Sequence, residues 1–368
     1  MVRVSNRSKP VLSIEVTALA LALSAATQVM AAENGLQRYS PGIGGSDMTT
    51  PLVPGWYVQL PMVAYHASKL KGDDGKTATA ATPAPLTGPY APYSMPGLRS
   101  EVDAKATNYA LLPRLTYLSA TRWLGANVGL TAMLPLVKRK ATFDANPLYP
   151  SGIPAGLQSQ VTANVRGRVA GQNGTDYGLS DLEVSPVLHW EIGDHQAVTL
   201  APTIVLPTGD YKATQRVNAG FGNFVTFRPS IQYAFIGDGW DVGGRAVLSF
   251  NTRNKDNGYY SGNMFNFDYQ LMKFVSEDVR VGLQGYFVRQ LNKDTQDLDG
   301  FSAQHIASLG GPKEIINGNK SSVNAAGPAV GWLKNGGEFL LEGKFLKEFD
   351  ARNRFEGQAF WLTLSKPL

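Results

Sequence analysis

The chain contains no cysteine among its 368 residues. That excludes disulfides and thiolate metal sites, while leaving the compartment open. Charged residues are scarce, at 17%, below the usual quarter for soluble domains. No apolar, uncharged run reaches about 18 residues, so no membrane-spanning helix is available. No Gly-rich phosphate loop stands between a strand and a helix, and no Gly-x-Ser-x-Gly elbow occurs. The formal charge is only +5, and no dense Lys/Arg patch of the kind that binds nucleic acid appears.

What the chain has is alternation. Between Gly178 and Gly209, the residues Leu182, Val184, Pro186, Leu188, Trp190 and Ile192 fall on every second position. After Gly193-Asp194-His195-Gln196 the pattern resumes with Val198, Leu200, Pro202, Ile204 and Leu206. Neighbouring side chains of a strand point to opposite faces, so this is a hairpin with one apolar and one more polar wall. Each arm has the length a tilted strand needs to cross a bilayer. Similar segments recur at 55–67, 105–120, 126–137, 223–236, 240–253, 263–275, 279–290, 324–333, 338–349 and 355–368. The count is about twelve, an even number.

Loop lengths sort by strand parity. Connections after odd strands are mostly long (68–104, 138–177, 208–222, 254–262 and 291–323), with a short one near 350–354. Those after even strands are all tight: 121–125, 193–196, 237–239, 276–278 and 334–337. Both ends of a soluble sandwich face the same water, whereas outer-membrane barrels have short periplasmic turns and long outer loops. The fold class expected is therefore all-β: an antiparallel, transmembrane, up-and-down β-barrel occupying 55–368. Helix propensity in the long loops is low, which speaks against a second domain.

Residues 1–32 read as a signal peptide. Arg3, Arg7 and Lys9 form a basic head, Val16 to Ala26 an apolar stretch, and Val29-Met30-Ala31 or Met30-Ala31-Ala32 a small-residue cleavage site. Its removal would lower the formal charge from +5 to +3. Residues 33–54 are Gly- and Pro-rich without period, an irregular arm that rests in the periplasm or plugs the barrel mouth.

Several stretches resemble the outer-membrane family of meta-pathway phenol-degradation, SphA-like proteins. They are Tyr39-Ser40-Pro41-Gly42, Pro54-Gly55-Trp56-Tyr57, Gly178-Leu179-Ser180-Asp181-Leu182 with Pro186 and Trp190, Pro207-Thr208-Gly209-Asp210-Tyr211, and Tyr260-Ser261-Gly262. The resemblance implies an outer-membrane barrel that passes small, often hydrophobic or aromatic compounds. It brings no catalytic residues with it.

If the apolar rows face lipid, the other rows face the lumen. They offer Arg114, Asp181, Glu183, His189, Arg228, Arg245, Asp268, Arg280, Glu342 and Lys344 as channel-lining residues, together with Asp241 and Gln284. Charges in a confined lumen must be paired or wet. They form either a selectivity belt or an internal salt-bridge lattice. Glu183, Arg228, Arg245 and Asp268 are placed to make a constriction at mid-depth. Trp56, Tyr57, Trp123, Trp190, Trp240, Trp332 and Trp361 suit an aromatic girdle. Loop aromatics such as Tyr90, Tyr93, Phe143, Tyr149, Tyr211 and Phe221 are open to a ligand role.

Catalysis has no foothold, since none of His66, His189, His195 and His305 stands where a nucleophile's base is needed. Asp294, Asp297 and Asp299 lack the spacing of a calcium loop and read as a solvated turn. No metal and no cofactor is expected. The partners expected are outer-membrane lipids and a small, hydrophobic solute, with no nucleic acid. The expectation is a porin-like channel for passive uptake. The alternatives are a general polar-solute porin and a non-conducting structural or adhesive barrel.

Overall fold

The computed structural model describes residues 33–35, 37–335 and 337–368. The expected signal peptide, 1–32, lies outside the described residues. Among the described residues, twelve antiparallel strands close into one barrel. They are β1 (Gly55–Lys71), β2 (Arg99–Leu111 and Arg114–Trp123), β3 (Ala126–Met133 and Leu136–Pro147), β4 (Gly174–Leu179 and Glu183–Ile192), β5 (Gln196–Val205) and β6 (Thr226–Gly237). Then follow β7 (Trp240–Asn251), β8 (Met264–Phe274), β9 (Val279–Gln290), β10 (Ser322–Lys334), β11 (Phe339–Arg352) and β12 (Arg354–Pro367). Neighbours in sequence are neighbours in the sheet, and β1 closes the ring on β12, from Tyr57 opposite Pro367 to Lys71 opposite Arg354.

The wall is inside out relative to a soluble protein. Along β6, Phe227, Ile231 and Tyr233 point outward and are exposed, whereas Thr226 and Arg228 point inward and are buried. In this part of the wall the period of two puts the apolar row on the outside and the polar row in the lumen. That is the distribution of an outer-membrane barrel. At the tight-turn end, Leu124-Gly125 and Asp238-Gly239 both have positive φ, the pair of left-handed residues that a two-residue hairpin demands. Trp56, Trp123, Trp240 and Trp332 are exposed near this end, as a girdle requires. Tyr57 and Trp361 differ from the expectation: both are buried, on the lumen side.

Two differences concern the long loops. The strands reach further than the apolar pattern does, with β2 starting at Arg99 and β3 running to Pro147. There the pattern is reversed, with Val102, Ala104, Phe143 and Ala145 buried inside and Glu101, Asp103 and Lys105 exposed outside, and Ser100 to Leu111 pairs in unbroken register with Pro147 to Leu136. The second difference is a helix, α1 (Ala155–Ala170), where low propensity argued against one. Its Leu157, Val161, Val165 and Val169 form one buried stripe against Val102, Ala104, Phe143 and Ala145. Packing of that stripe outweighs the glycines and β-branched residues of the segment.

Strands β2 to β4 break at one level, at Leu112-Pro113, Leu134-Pro135 and Ser180 to Leu182. The ladder continues across the breaks through Leu112 N–H to Pro61 O (2.9 Å), Leu134 N–H to Pro113 O (3.2 Å) and Ser180 N–H to Pro135 O (2.8 Å). Proline can accept but not donate, so the breaks at Pro113 and Pro135 fall where a ladder donor is missing.

Candidate functional site: the barrel lumen

The arm lies within the barrel from 37 to 50, and most of the inward charges meet it. Pro41-Gly42-Ile43-Gly44-Gly45 makes the closest approach. A Cβ on Gly44 would stand 2.9 Å from the Cβ of Asp268, and one on Gly45 would stand 2.6 Å from Nζ of Lys344. Only glycine fits there. Bare backbone N–H groups are thereby presented to side chains of the wall. Asp268 accepts from Tyr39 Oη (2.6 Å), Gly42 N (3.0 Å) and Gly44 N (2.8 Å). Glu342 accepts from Ser46 N (2.9 Å), and Lys344 donates to Gly44 O (2.7 Å).

A short turn, Ser46–Met48, then places the buried carboxylate of Asp47 between two arginines. Arg245 stands 3.2 Å from it and Arg114 3.4 Å. Burial works against the charge of Asp47, but Arg245 and Arg114 outweigh it and hold the carboxyl below its usual range. On the other side of the arm, Arg38 reaches Asp181 at 2.8 Å, and Arg228 donates to Arg38 O at 3.2 Å.

The ten residues singled out from the sequence thus all lie on the lumen side, but not as one ring. Glu183 and Arg228 form an ion pair with each other. Arg245 and Asp268, opposite one another in register, both turn to the arm. Arg280 pairs with Asp241 in the wall. His189 shares a hydrogen bond with Thr199 Oγ1 (2.9 Å) at the tight-turn end. The arm's own contributions, Arg38, Tyr39 and Asp47, escaped the sequence reading because nothing periodic marks them. Their signals were the glycine run beside them and, for Tyr39, its place in the Tyr39-Ser40-Pro41-Gly42 motif.

Above the arm, toward the long loops, the lumen holds a cavity of about 170 Å³. Its wall is aromatic: Tyr65, Phe143, Phe221, Tyr286, Phe355 and Trp361. Glu348 lines it and is fully occupied, accepting from Tyr65 Oη and Tyr286 Oη (both 2.8 Å), Gly357 N (2.7 Å) and Arg354 (3.3 Å). A second, more polar cavity below the arm is lined by Gln59, Arg114, Thr116, Glu183, Ser185 and Arg228. Tyr39 borders both.

The loops tie down the start of the arm. Glu33 is buried and accepts from Asn254 (2.6 Å), Asn257 and Tyr211. Burial pushes its carboxyl up, against the pull of these three donors. Tyr211 is therefore a structural partner of the arm. Phe143 and Phe221 do reach the cavity, but Tyr149 bonds the helix at Gln158 O (2.7 Å). Among the described residues, no group of three His, Asp or Glu side chains could hold a metal.

Among solved structures, an outer membrane channel from Pseudomonas putida F1 is similar at a TM-score of 0.60 and 12% identity, over 90% of this chain and 100% of that one. The translocator domain of the autotransporter NalP from Neisseria meningitidis matches at 0.42 and 8%, over 88% and 92%. A Pseudomonas aeruginosa FadL homologue matches at 0.39 and 9%, over 93% and 99%. At these identities the first likeness bears on the fold alone, and the other two are too distant to add to it. A search of curated proteins finds no match. The family model described as "Putative MetA-pathway of phenol degradation" matches residues 80–364, most of the barrel, and the chain belongs to that family.

Proposed function

We propose that the protein is a passive outer-membrane channel for small amphipathic molecules with an apolar or aromatic body. The observation that carries this reading is the stack of two lumen cavities that meet at Tyr39. A solute entering from the loop end meets aromatic walls first and a polar chamber second. The arm 33–54 acts as a plug that narrows the passage between them. The family membership and the likeness to a Pseudomonas putida channel support the same reading.

Arg114, Asp181, Glu183, His189, Arg228, Arg245, Asp268, Arg280, Glu342 and Lys344 line or brace this passage. Because most of these charges are neutralised by a neighbour, their main role is to seat the plug. Arg114, Glu183, Arg228 and Arg245, which also border the lower cavity, are the ones open to passing solutes. The polarity of that cavity favours a second reading, a porin for general polar solutes. Proteoliposomes holding the purified protein separate the two by their relative permeability to benzyl alcohol and to arabinose. Preference for the aromatic alcohol is expected, after correction for its leak through protein-free vesicles. A barrel that admits neither solute and conducts no ions would leave only a structural or adhesive role.

A further inference from the structure

The aromatic cavity contains more positive charge than its own carboxylate can neutralise. Glu348 is its one acidic side chain among the described residues, and it is taken by Arg354 and three further donors. Arg139, on β3, lines the same space with its side chain turned inward. Arg139 is buried (6% exposed) and, among the described residues, makes no ion pair within 4 Å. It lies over the ring of Phe221, 4.4 Å from the centroid, and donates one Nη1 hydrogen to Asn218 O at 2.9 Å.

The cavity also gathers buried polar atoms that no protein group satisfies. They are Nε of Arg139, Nε1 of Trp361, Oδ1 of Asn108 and Oε1 of Gln37, and all four residues line it. Buried polar groups are ordinarily bonded, and an unmet one costs about 1 to 3 kcal/mol. Two of the four, on Arg139 and Trp361, are N–H donors whatever the tautomer or amide orientation. One of them carries full positive charge. Donors of this kind ask for an anion, and the rings around them ask for a flat apolar body.

Size agrees. A dry cavity of about 150 Å³ in another protein accepts benzene, and this one measures about 170 Å³. From this convergence we infer that the cavity is a binding site for a monoaromatic carboxylate, its carboxylate on Arg139 and Trp361 and its ring among Phe143, Tyr286 and Phe221. The amides of Gln37 and Asn108 serve a polar substituent on the ring. The inference rests on the channel reading for its biological sense, since it names the solute class that the outer cavity selects. It departs from a purely hydrophobic cargo, because charge on the solute is what Arg139 recognises.

Calorimetric titration of the purified, full-length barrel in detergent provides the test. The probes are benzoate, benzyl alcohol (ring without charge) and acetate (charge without ring). Benzoate should bind about tenfold or more tightly than either, the scale of one charge-assisted hydrogen bond. Arg139→Gln should bring benzoate to the level of benzyl alcohol and leave benzyl alcohol unchanged. Equal binding of benzoate and benzyl alcohol by the unmodified protein overturns the inference. So does unaltered benzoate affinity in Arg139→Gln. Should that variant not fold, Trp361→Phe keeps the ring, removes the donor and should weaken benzoate severalfold; undiminished binding there also overturns it. Flux through proteoliposomes keeps the two readings apart. Benzoate binding without any solute flux removes the channel and leaves the site, whereas flux without preference for benzoate over benzyl alcohol removes the site and leaves the channel.

Discussion

The two levels of the lumen are built from similar residues and arrive at opposite electrostatic conditions. At the level of the arm, each prominent charge finds a counter-charge or a ring of donors within the chain: Asp47 with Arg245 and Arg114, Asp181 with Arg38, Asp268 with Tyr39 and two glycine N–H groups. At the level above, Arg139 keeps a donor unused against an aromatic wall. Saturated charges hold parts together. An unsaturated one is left over for something that comes and goes, because a ligand can only be recognised by groups that the protein has not already satisfied.

If that contrast is right, removing the arm should have the largest effect. Deletion of 37–50 should raise single-channel conductance severalfold, because it empties the lumen between the cavities. Unchanged conductance would show that the arm does not limit the passage. Next come the residues that seat it. Arg228→Ala leaves Glu183 buried without its partner and should cost about 3 to 5 kcal/mol, read as a lower Tm in detergent. Asp268→Ala strands three donors of the arm and should both lower Tm and raise conductance noise as the arm loosens. A change in ion selectivity without any loss of Tm would instead make these residues a filter.

Arg139→Gln should lower stability less, by about 1 kcal/mol, since no carboxylate depends on it and only one hydrogen bond and a ring contact are weakened. A loss as large as that of Arg228→Ala would erase the distinction between the levels.

The remaining effect concerns pH. Lys313, in the loop between β9 and β10, is pushed down to about 8, by burial first and by the nearby Arg216 second. Its folded value therefore lies below its ordinary value of 10.5. For such a base the contribution to stability is present above pH 10.5 and is lost as the pH falls through about 8. Lys313→Met, which has no proton to bind, should gain on the unmodified protein as the pH is lowered across that window. A Tm difference that stays constant from pH 11 to pH 7 would contradict it.

The wall of this protein is legible in its residues. The rows Leu182 to Ile192 and Val198 to Leu206 are enough to place a hairpin, because the two-residue period depends only on local geometry. Loop parity then supplies the orientation of all twelve strands relative to one another. The ten inward charges follow from the same period. Legibility ends where the apolar row moves to the inner face and the charged row to the outer one, as at Val102 and Ala104 against Glu101, Asp103 and Lys105. It also ends at α1, whose buried stripe of Leu157, Val161, Val165 and Val169 gains its support from Val102, Ala104, Phe143 and Ala145 of β2 and β3, far off in sequence.

The sequence by itself therefore determined a barrel, its strand count and the side of the wall on which each charge stands. Only the tertiary structure decided what those charges do. Arg38 meets Asp181, 143 positions away, and Tyr39 meets Asp268, 229 positions away. No local pattern encodes such pairs. They exist because closing β1 on β12 encircles the arm, and a confined charge must take whichever partner the closed wall brings within reach.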